Sequence, residues 1–219
     1  QLPERNTSMG QGAGRGLRAS PHDGRSAAGG IGILVDLAGD DRYAAQLFAQ
    51  GAGFREGLGL LVDDAGNDRY EASWYAMGAA AHRGAGVLLD RGAGHDTYRA
   101  THSMAIGAAH DFSVGFFLDE GGHDRYRVPE LGLGAAHDNG IALFVDAAGN
   151  DAYDVAASDC LAFGVARIGQ WGSLREDLPN AGLFLDLGGE DSHPALCERV
   201  RNGAQWAGPR HWPALELRS

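Results

Sequence analysis

The chain has 219 residues, 44% of them apolar, and carries a net charge of −11 at neutral pH. The negative charge argues against nucleic acid and anionic membrane surfaces as partners, because both are themselves negatively charged. No run of 18 apolar residues occurs, so we predict no membrane span. The 35 glycines are roughly twice the average share and recur at fixed places, which is typical of a repeat protein.

Residues 1–29 predict a partial first coil followed by an inserted loop. The phrase SMGQGAG at 8–14 resembles FAQGAG at 48–53, which lies in the middle of a later repeat. The segment at 15–28 then breaks the pattern and predicts the loop. Because the chain begins within a repeat, we expect it to be a fragment of a longer chain or to have lost an upstream segment.

Residues 30–193 contain six copies of one phrase, of which LLVDDAGNDRY at 60–70 is an example. The first Asp of the copies falls at 36, 63, 90, 119, 146 and 186. The first four spacings are 27 to 29 residues, and the last, of 40, predicts an insertion at about 167–180. The tail at 194–219 departs from the pattern. We expect it to cap the last coil, because solenoid ends need their core and strand edges covered.

Each repeat predicts three short strands. An apolar run of period two, as at 57–63, indicates the first strand. Asp-x-x-Gly-x-Asp-x-Tyr then predicts a turn in which Gly66 and its equivalents take positive φ. Tyr opens the second strand, and a small-residue phrase such as MGAA at 77–80 predicts a tight corner.

A unit of this length fits one coil of a β-helix, whereas propeller blades need about 40–50 residues. We predict an all-β fold, a three-sided parallel, right-handed β-solenoid of about six 27-residue coils.

Stacked coils place equivalent residues in columns about 4.8 Å apart. One column predicts an inward aromatic ladder that stabilises the core, and a strip that stacks a ligand is the alternative. Its members are Tyr43, Tyr70, Tyr98, Tyr126 and Tyr153.

Two further columns consist of aspartates, whose like charges repel unless something neutralises them. Backbone N–H groups of the turns, with the adjacent Arg42, Arg69 and Arg125, would leave the aspartates as turn caps. A bound Ca²⁺, which takes six to eight oxygen ligands, is the alternative. The first column is Asp36, Asp63, Asp90, Asp119, Asp146 and Asp186, and the second is Asp41, Asp68, Asp96, Asp124, Asp151 and Asp191.

The turn also carries a family resemblance. Gly-x-Asp-x-apolar occurs as Gly39-Asp41-Tyr43, Gly66-Asp68-Tyr70, Gly94-Asp96-Tyr98, Gly122-Asp124-Tyr126 and Gly149-Asp151-Tyr153. This half-motif resembles the second half of the RTX nonapeptide of parallel β-helices. The resemblance implies calcium between coils, on the aspartates of the first five repeats, and secretion.

A third column follows the small-residue corner and comprises Arg15, Phe54, His82, His110, His137 and Arg167. Three stacked histidines, two of them followed by Asp111 and Asp138, could ligate a transition metal or supply a general base. The three histidines and two aspartates are therefore candidate catalytic residues. The alternative is a polar, solvent-facing corner in which His–Asp pairs bond locally.

Two classes of function follow. The regular, acidic repeats favour a structural or ligand-binding module of a secreted or cell-surface protein, stiffened by Ca²⁺, with a polysaccharide or another surface protein as partner. The alternative is a carbohydrate-active enzyme, a polysaccharide lyase or hydrolase, with Arg167, Trp171 and Arg175 contacting substrate beside the His column. Cys160 and Cys197 either form a disulfide or remain two free thiols.

Overall fold

The structure, a computed structural model, describes residues 8–17, 24–25, 27, 29–155, 160–169, 174–197 and 203–207. Its secondary structure is 20 strands and two short 3-10 helices, Leu174–Asp177 and Ala195–Cys197. The predicted all-β class is therefore confirmed. None of the helices in these ranges has the length and apolar character needed to cross a membrane.

The strands, numbered β1–β20 in chain order, form three large sheets and one small sheet. Sheet I contains β2 (Ile31–Asp36), β6 (Leu58–Asp63), β10 (Ala85–Asp90), β13 (Val114–Asp119), β16 (Ile141–Asp146), β19 (Asn180–Asp186) and β20 (Gly203–Ala207). Sheet II contains β3 (Arg42–Ala44), β7 (Arg69–Ala72), β11 (Thr97–Ala100), β14 (Arg125–Val128) and β17 (Ala152–Val155). Sheet III contains β1 (Gly14–Arg15), β5 (Gly53–Phe54), β9 (Ala80–Ala81), β12 (Ala109–His110), β15 (Ala136–His137) and β18 (Ala166–Arg167). The small sheet pairs β4 (Leu47–Ala49) with β8 (Trp74–Ala76).

Within each large sheet, successive coils pair in parallel and in register, so that Asp63 lies opposite Asp36 and Asp90, and Tyr70 opposite Tyr43 and Tyr98. The predicted parallel β-solenoid is confirmed, with about five turns rather than six. Among the described residues the sixth phrase supplies β19 and a single bridge, Ser192 to Ala152, toward sheet II, so the part of the last turn that the structure describes is incomplete. The three sides and the right-handed sense of the coil stay predictions.

The core follows from the alternation along each strand of sheet I. In β6, Gly59, Leu61 and Asp63 are buried while Leu58 points outward. The Phe117 ring, equivalent to Leu61, stands edge-on to Tyr98 at 4.9 Å. The column tyrosines stack on one another with ring centroids 4.7–5.1 Å apart, and all five are buried. The predicted inward aromatic ladder is confirmed.

Sheets I and III approach so closely that only small residues fit between them. A Cβ added to Gly59, Gly86 or Gly115 would lie 2.1–2.3 Å from the carbonyl oxygen of an alanine in the facing corner. The corner glycines, Gly51, Gly78, Gly107 and Gly134, have φ of 72–78°, a region that favours glycine. The small-residue phrase therefore forms the tight corner that the sequence predicts.

The prediction of positive φ at Gly66 and its equivalents is wrong for Gly66, Gly94 and Gly122, whereas Gly39, Gly149 and Gly189 do have positive φ, of 135–159°. Gly66, Gly94 and Gly122 are absent from the positive-φ glycines of the described chain. A Cβ on them would lie 1.7–1.8 Å from the carbonyl oxygen of the equivalent glycine in the preceding coil. At Gly66, Gly94 and Gly122 the turn therefore needs glycine because neighbouring backbones touch there, and not because of the φ angle.

The two ends of the solenoid agree in part with the predicted division of the chain into a partial first coil, repeats and a cap. The boundaries of these parts stay predictions. Gly14 of β1 pairs with Gly53 of β5, so the first segment does match the middle of a repeat. At the other end, β20 pairs antiparallel with β19 along the edge of sheet I. A disulfide joins Cys160 to Cys197, which decides between the two predicted states of these residues. Positions 18–23 of the first loop, Trp171 of the insertion, and positions 198–202 and 208–219 of the tail lie outside the described residues.

Candidate metal centres

The second aspartate column caps the turns of neighbouring coils. The Oδ1 atom of Asp68 accepts a hydrogen bond from the backbone N–H of Asp41 at 2.6 Å. The same bond recurs along the column at 2.6–2.9 Å, from Asp68 to Asp96, Asp96 to Asp124, Asp124 to Asp151 and Asp151 to Asp191. The predicted turn-capping role is therefore confirmed for one oxygen each of Asp68, Asp96, Asp124, Asp151 and Asp191.

The first aspartate column meets the hydroxyl groups of the tyrosine ladder. The Tyr98 hydroxyl lies 2.6 Å from Asp90 Oδ2 and 2.8 Å from Asp119 Oδ2, and the Tyr126 hydroxyl lies 2.8 Å from Asp119. One hydroxyl proton cannot be donated fully to two carboxylates. In each pair of aspartates that share a tyrosine hydroxyl, one carboxyl must therefore carry a proton itself. Otherwise a cation must bind the carboxylate oxygens that receive no proton.

Arg42 and Arg69 do not neutralise these columns as predicted. Arg42 and Arg69 are more than half exposed, and both bind Glu71 on the surface, at 2.7 and 2.6 Å. Those pairs lie in high dielectric and leave the buried aspartates without a basic partner from these two residues.

Three groups of buried aspartates bring their oxygens together between coils. Within each group, ligand oxygens lie within 4.8 Å of one another, the largest separation of two oxygens bound to one Ca²⁺ at about 2.4 Å. These groups, named the Asp triads, are Asp68–Asp90–Asp96, Asp96–Asp119–Asp124 and Asp124–Asp146–Asp151. Among the predicted ligands, Asp36, Asp41 and Asp63 join none of the triads found in the described chain.

The triads also contain oxygens that the described protein does not satisfy. Asp68 Oδ2, Asp124 Oδ2, Asp146 Oδ1 and Asp151 Oδ2 are buried and have no hydrogen-bond partner in the described chain. Leaving such a group unpaired is costly, and more so when it is charged. These atoms are the ones available to a cation.

Burial gives the triad carboxyls unusual proton affinity. Burial, followed by the charge of Asp119, raises the pKa of Asp124 to about 9. Burial likewise raises the pKa of Asp96 to about 7 and that of Asp90 and Asp146 to about 8. Near neutral pH a triad can thus be neutralised either by protons or by a cation that displaces them.

A second ladder, which was not predicted from the sequence, lies at the residue before each turn Asp. There the side chain accepts the backbone N–H of the following coil, as when Asn67 Oδ1 accepts from His95 N at 3.0 Å and His95 Nδ1 from His123 N at 3.1 Å. The rings of His95 and His123 also stack, with centroids 4.9 Å apart. The sequence does contain a pattern that indicates this ladder, because every residue at this position carries a side-chain hydrogen-bond acceptor: Asp40, Asn67, His95, His123, Asn150 and Glu190.

The histidine column differs from the prediction at one position. In sheet III, His110 lies opposite Ala81 and His137, so Ala81 and not His82 shares their register. His82 comes one residue later because MGAAAH has one more alanine than IGAAH. Its ring therefore meets Asp111, with 2.6 Å between His82 Nδ1 and Asp111 Oδ2.

The predicted histidines and aspartates nevertheless form one cluster. His110 Nδ1 lies 3.2 Å from His137 Nδ1, which is 3.1 Å from Asp138 Oδ2. Arg175, from the insertion, binds the other oxygen of Asp111. Burial, followed by the neighbouring His137 and His82, lowers the pKa of His110 and so favours its neutral imidazole form.

The outward face of sheet I is a second feature that the sequence analysis missed. Each of the six parallel strands carries three apolar side chains on this face, and of these 18 residues Ala181 of β19 is buried. Several are strongly exposed, including Ile33 at 60%, Val114 at 47% and Ile141 at 51%. Contiguous apolar patches of this kind mark interaction sites.

The chain matches no family model, no curated protein and no solved structure. Its function is therefore inferred from the chemistry of these sites.

Proposed function

We propose that the chain is a structural, protein-binding β-solenoid module of a secreted or cell-surface protein, and that Ca²⁺ binds between its coils at the Asp triads. The observation that carries the proposal is the set of triads itself, in which three buried carboxylates converge and several oxygens lack a donor. Carboxylate oxygens without nitrogen or sulfur ligands suit a hard cation such as Ca²⁺.

Binding at the triads would stiffen the rod. Each triad draws aspartates from neighbouring coils, as Asp68 comes from one coil and Asp90 and Asp96 from the next. Because Asp96 and Asp124 belong to two triads each, ions would follow one another along the solenoid. A cation held this way cross-links coils and stabilises the folded chain over the unfolded one.

The disulfide supports a secreted or cell-surface location. Disulfides form and persist mainly in oxidising compartments such as the extracellular space. The bond between Cys160 and Cys197 joins the last coil to the segment that follows it. Extracellular calcium modules bind with dissociation constants of about 10⁻⁴–10⁻³ M.

The outward face of sheet I supports a protein rather than a polysaccharide as partner. Its side chains carry no hydrogen-bonding groups toward the solvent, which sugar recognition needs. A second copy of the chain offers the same flat apolar surface. Six strands about 4.8 Å apart and about 20 Å long give each face about 500 Å², so two copies would bury about 1,000 Å² in total, near the lower limit for a specific interface.

The alternative of a carbohydrate-active enzyme is weaker on geometric grounds. A cavity of about 200 Å³ lies beside the histidine cluster, lined by Arg55, Glu56, His82, Arg83 and Asp111. Ligand sites typically measure about 300–1,000 Å³. This size favours the module over an enzyme that binds several sugar rings.

Thermal unfolding of chelator-treated protein with and without Ca²⁺ tests the proposal. At a hundredfold excess of Ca²⁺ over its dissociation constant, one site should stabilise the folded state by about 2.7 kcal/mol. We expect the melting temperature to rise with Ca²⁺ and to fall again with chelator. An unchanged melting temperature at millimolar Ca²⁺ would show that the triads are neutralised by protons alone.

Asp124→Asn supplies the matched variant, because Asp124 belongs to two triads and an amide oxygen can still accept the N–H of Asp96. We expect it to lose most of the Ca²⁺ response. Asp154→Asn makes the same change of charge on an exposed residue outside the triads and should keep that response. Equal responses from the two variants would count against calcium binding at the triads.

A further inference from the structure

We propose that His110, His137 and Asp138 form a Zn²⁺ site, separate from the Asp triads and independent of the calcium proposal. The site lies at the ends of β12 and β15 in sheet III, where neighbouring coils place the two histidines in register. Two imidazoles and one carboxylate are a ligand set typical of zinc.

Two of the three spacings between the donor atoms match those around one tetrahedral ion. Ligands at about 2.0–2.1 Å in tetrahedral geometry are separated by about 3.3 Å. His110 Nδ1 and His137 Nδ1 are 3.2 Å apart, and His137 Nδ1 and Asp138 Oδ2 are 3.1 Å apart. The three residues offer ligand atoms that all lie within 4.8 Å of one another.

The hydrogen bonding of the cluster leaves these atoms with an excess of lone pairs. His137 Nδ1 faces both a nitrogen of His110 and an oxygen of Asp138. A single proton on His137 Nδ1 would have to be shared between two acceptors, and His110 Nδ1 would gain no full partner. One cation at the centre accepts a lone pair from each of the three atoms at once.

The surroundings hold the ligands in place. Asp138 is buried, and its Oδ1 accepts the backbone N–H of Gly169 at 2.7 Å, which leaves Oδ2 for the metal. The Asn139 amide donates to the carbonyl oxygens of Arg175 and Leu178 and so fixes the insertion beside the site. Hydrogen bonds from surrounding residues orient the side chains that bind a metal and strengthen metal binding.

Three protein ligands leave a fourth position open. The His137 side chain is 22% exposed, so solvent reaches the cluster. A water molecule would complete the tetrahedron, as it does where zinc keeps three protein ligands. The His82 ring, which contacts Asp111, lies with its centroid 5.6 Å from that of His110.

Zn²⁺ titration of chelator-treated full chain against a competing chromogenic chelator, with Ca²⁺ in excess, tests the site. We expect one Zn²⁺ per chain in the wild-type protein. His110→Ala and His137→Ala should each weaken binding by about a hundredfold or more, beyond the effect of changes to surrounding residues. His102→Ala, an exposed histidine beside Trp74, is the matched control and should bind Zn²⁺ normally.

Two further measurements distinguish zinc bound at this site from metal bound at the Asp triads or elsewhere on the chain. Asp124→Asn should leave Zn²⁺ affinity unchanged, so loss of the calcium response and loss of zinc binding are independent outcomes. X-ray absorption of the zinc-loaded wild-type protein should show two imidazole nitrogens at about 2.0–2.1 Å, which needs no variant to fold. Coordination by oxygen alone, or unchanged affinity in both histidine variants, would overturn the proposal.

Discussion

Gly66 shows how a single residue can be fixed by contact between coils. Its Cβ position lies 1.7 Å from the carbonyl oxygen of Gly39, so even a methyl group forces the two backbones apart. We expect Gly66→Ala to lower the free energy of unfolding by about 1–3 kcal/mol, the usual cost of overpacking. Urea unfolding of the wild-type and variant proteins at constant pH measures this decrease.

Gly188→Ala is the matched control, because the added Cβ has no neighbour closer than 3.9 Å and Gly188 has no positive φ. It lies in the equivalent turn of the last repeat, where no coil follows in the described chain. Equal stability of the two variants would contradict the contact between backbones as the reason for glycine.

Residue-level predictions from the sequence succeeded where the repeat alone determines position. The aspartate and tyrosine columns were predictable, because identical phrases at nearly constant spacing stack in register. His82 was misplaced because one extra alanine shifts it, and only strand pairing shows which residue faces His110. The contact at Gly66 was missed because a φ preference and a close approach both select glycine, and sequence does not distinguish them.

The strands of sheet I carry apolar residues on both faces. Runs such as VLLD at 87–90 and FFLD at 116–119 are typical of sheets covered on both sides. Here one face packs on the core and the other points outward. The sequence therefore predicts the strand but not which partner covers its second face.

Two lysines at the centre of that face should prevent its association with a second copy. Val87 and Phe116 are partly exposed and lie opposite each other on β10 and β13. We expect wild-type protein to form dimers, and the Val87→Lys/Phe116→Lys variant to be monomeric, because association would bury uncompensated charge. Size-exclusion chromatography with light scattering over a range of concentrations measures the mass.

Thr97→Lys, on sheet II, is the control and should leave the dimer intact. The melting temperature of the double variant should stay close to that of the wild-type monomer, since neither side chain belongs to the core. A wild-type chain that is monomeric at every concentration would contradict a second copy as the partner of this face.

At the scale of the whole molecule, the buried carboxyls make stability depend on pH in an unusual direction. Their pKa is about 3.9 in the unfolded chain, but about 7 to 9 for Asp96, Asp90 and Asp124 in the folded one. Between these values the folded chain holds protons that the unfolded chain has released. Stability is then greatest at low pH and is lost as the pH rises through the folded values.

We therefore expect the free energy of unfolding of calcium-free protein to fall between about pH 5 and pH 9. Each additional proton held by the folded chain contributes a slope of about 1.4 kcal/mol per pH unit at most. Saturating Ca²⁺ should flatten this dependence, because the ion replaces the protons as the partner of the triads. Asp124→Asn removes one of these titrating carboxyls and should reduce the slope without calcium by about one proton's share, whereas Asp154→Asn should leave the slope unchanged. Chemical unfolding across this pH range measures the slope, and a stability that rises with pH would contradict protonated triads.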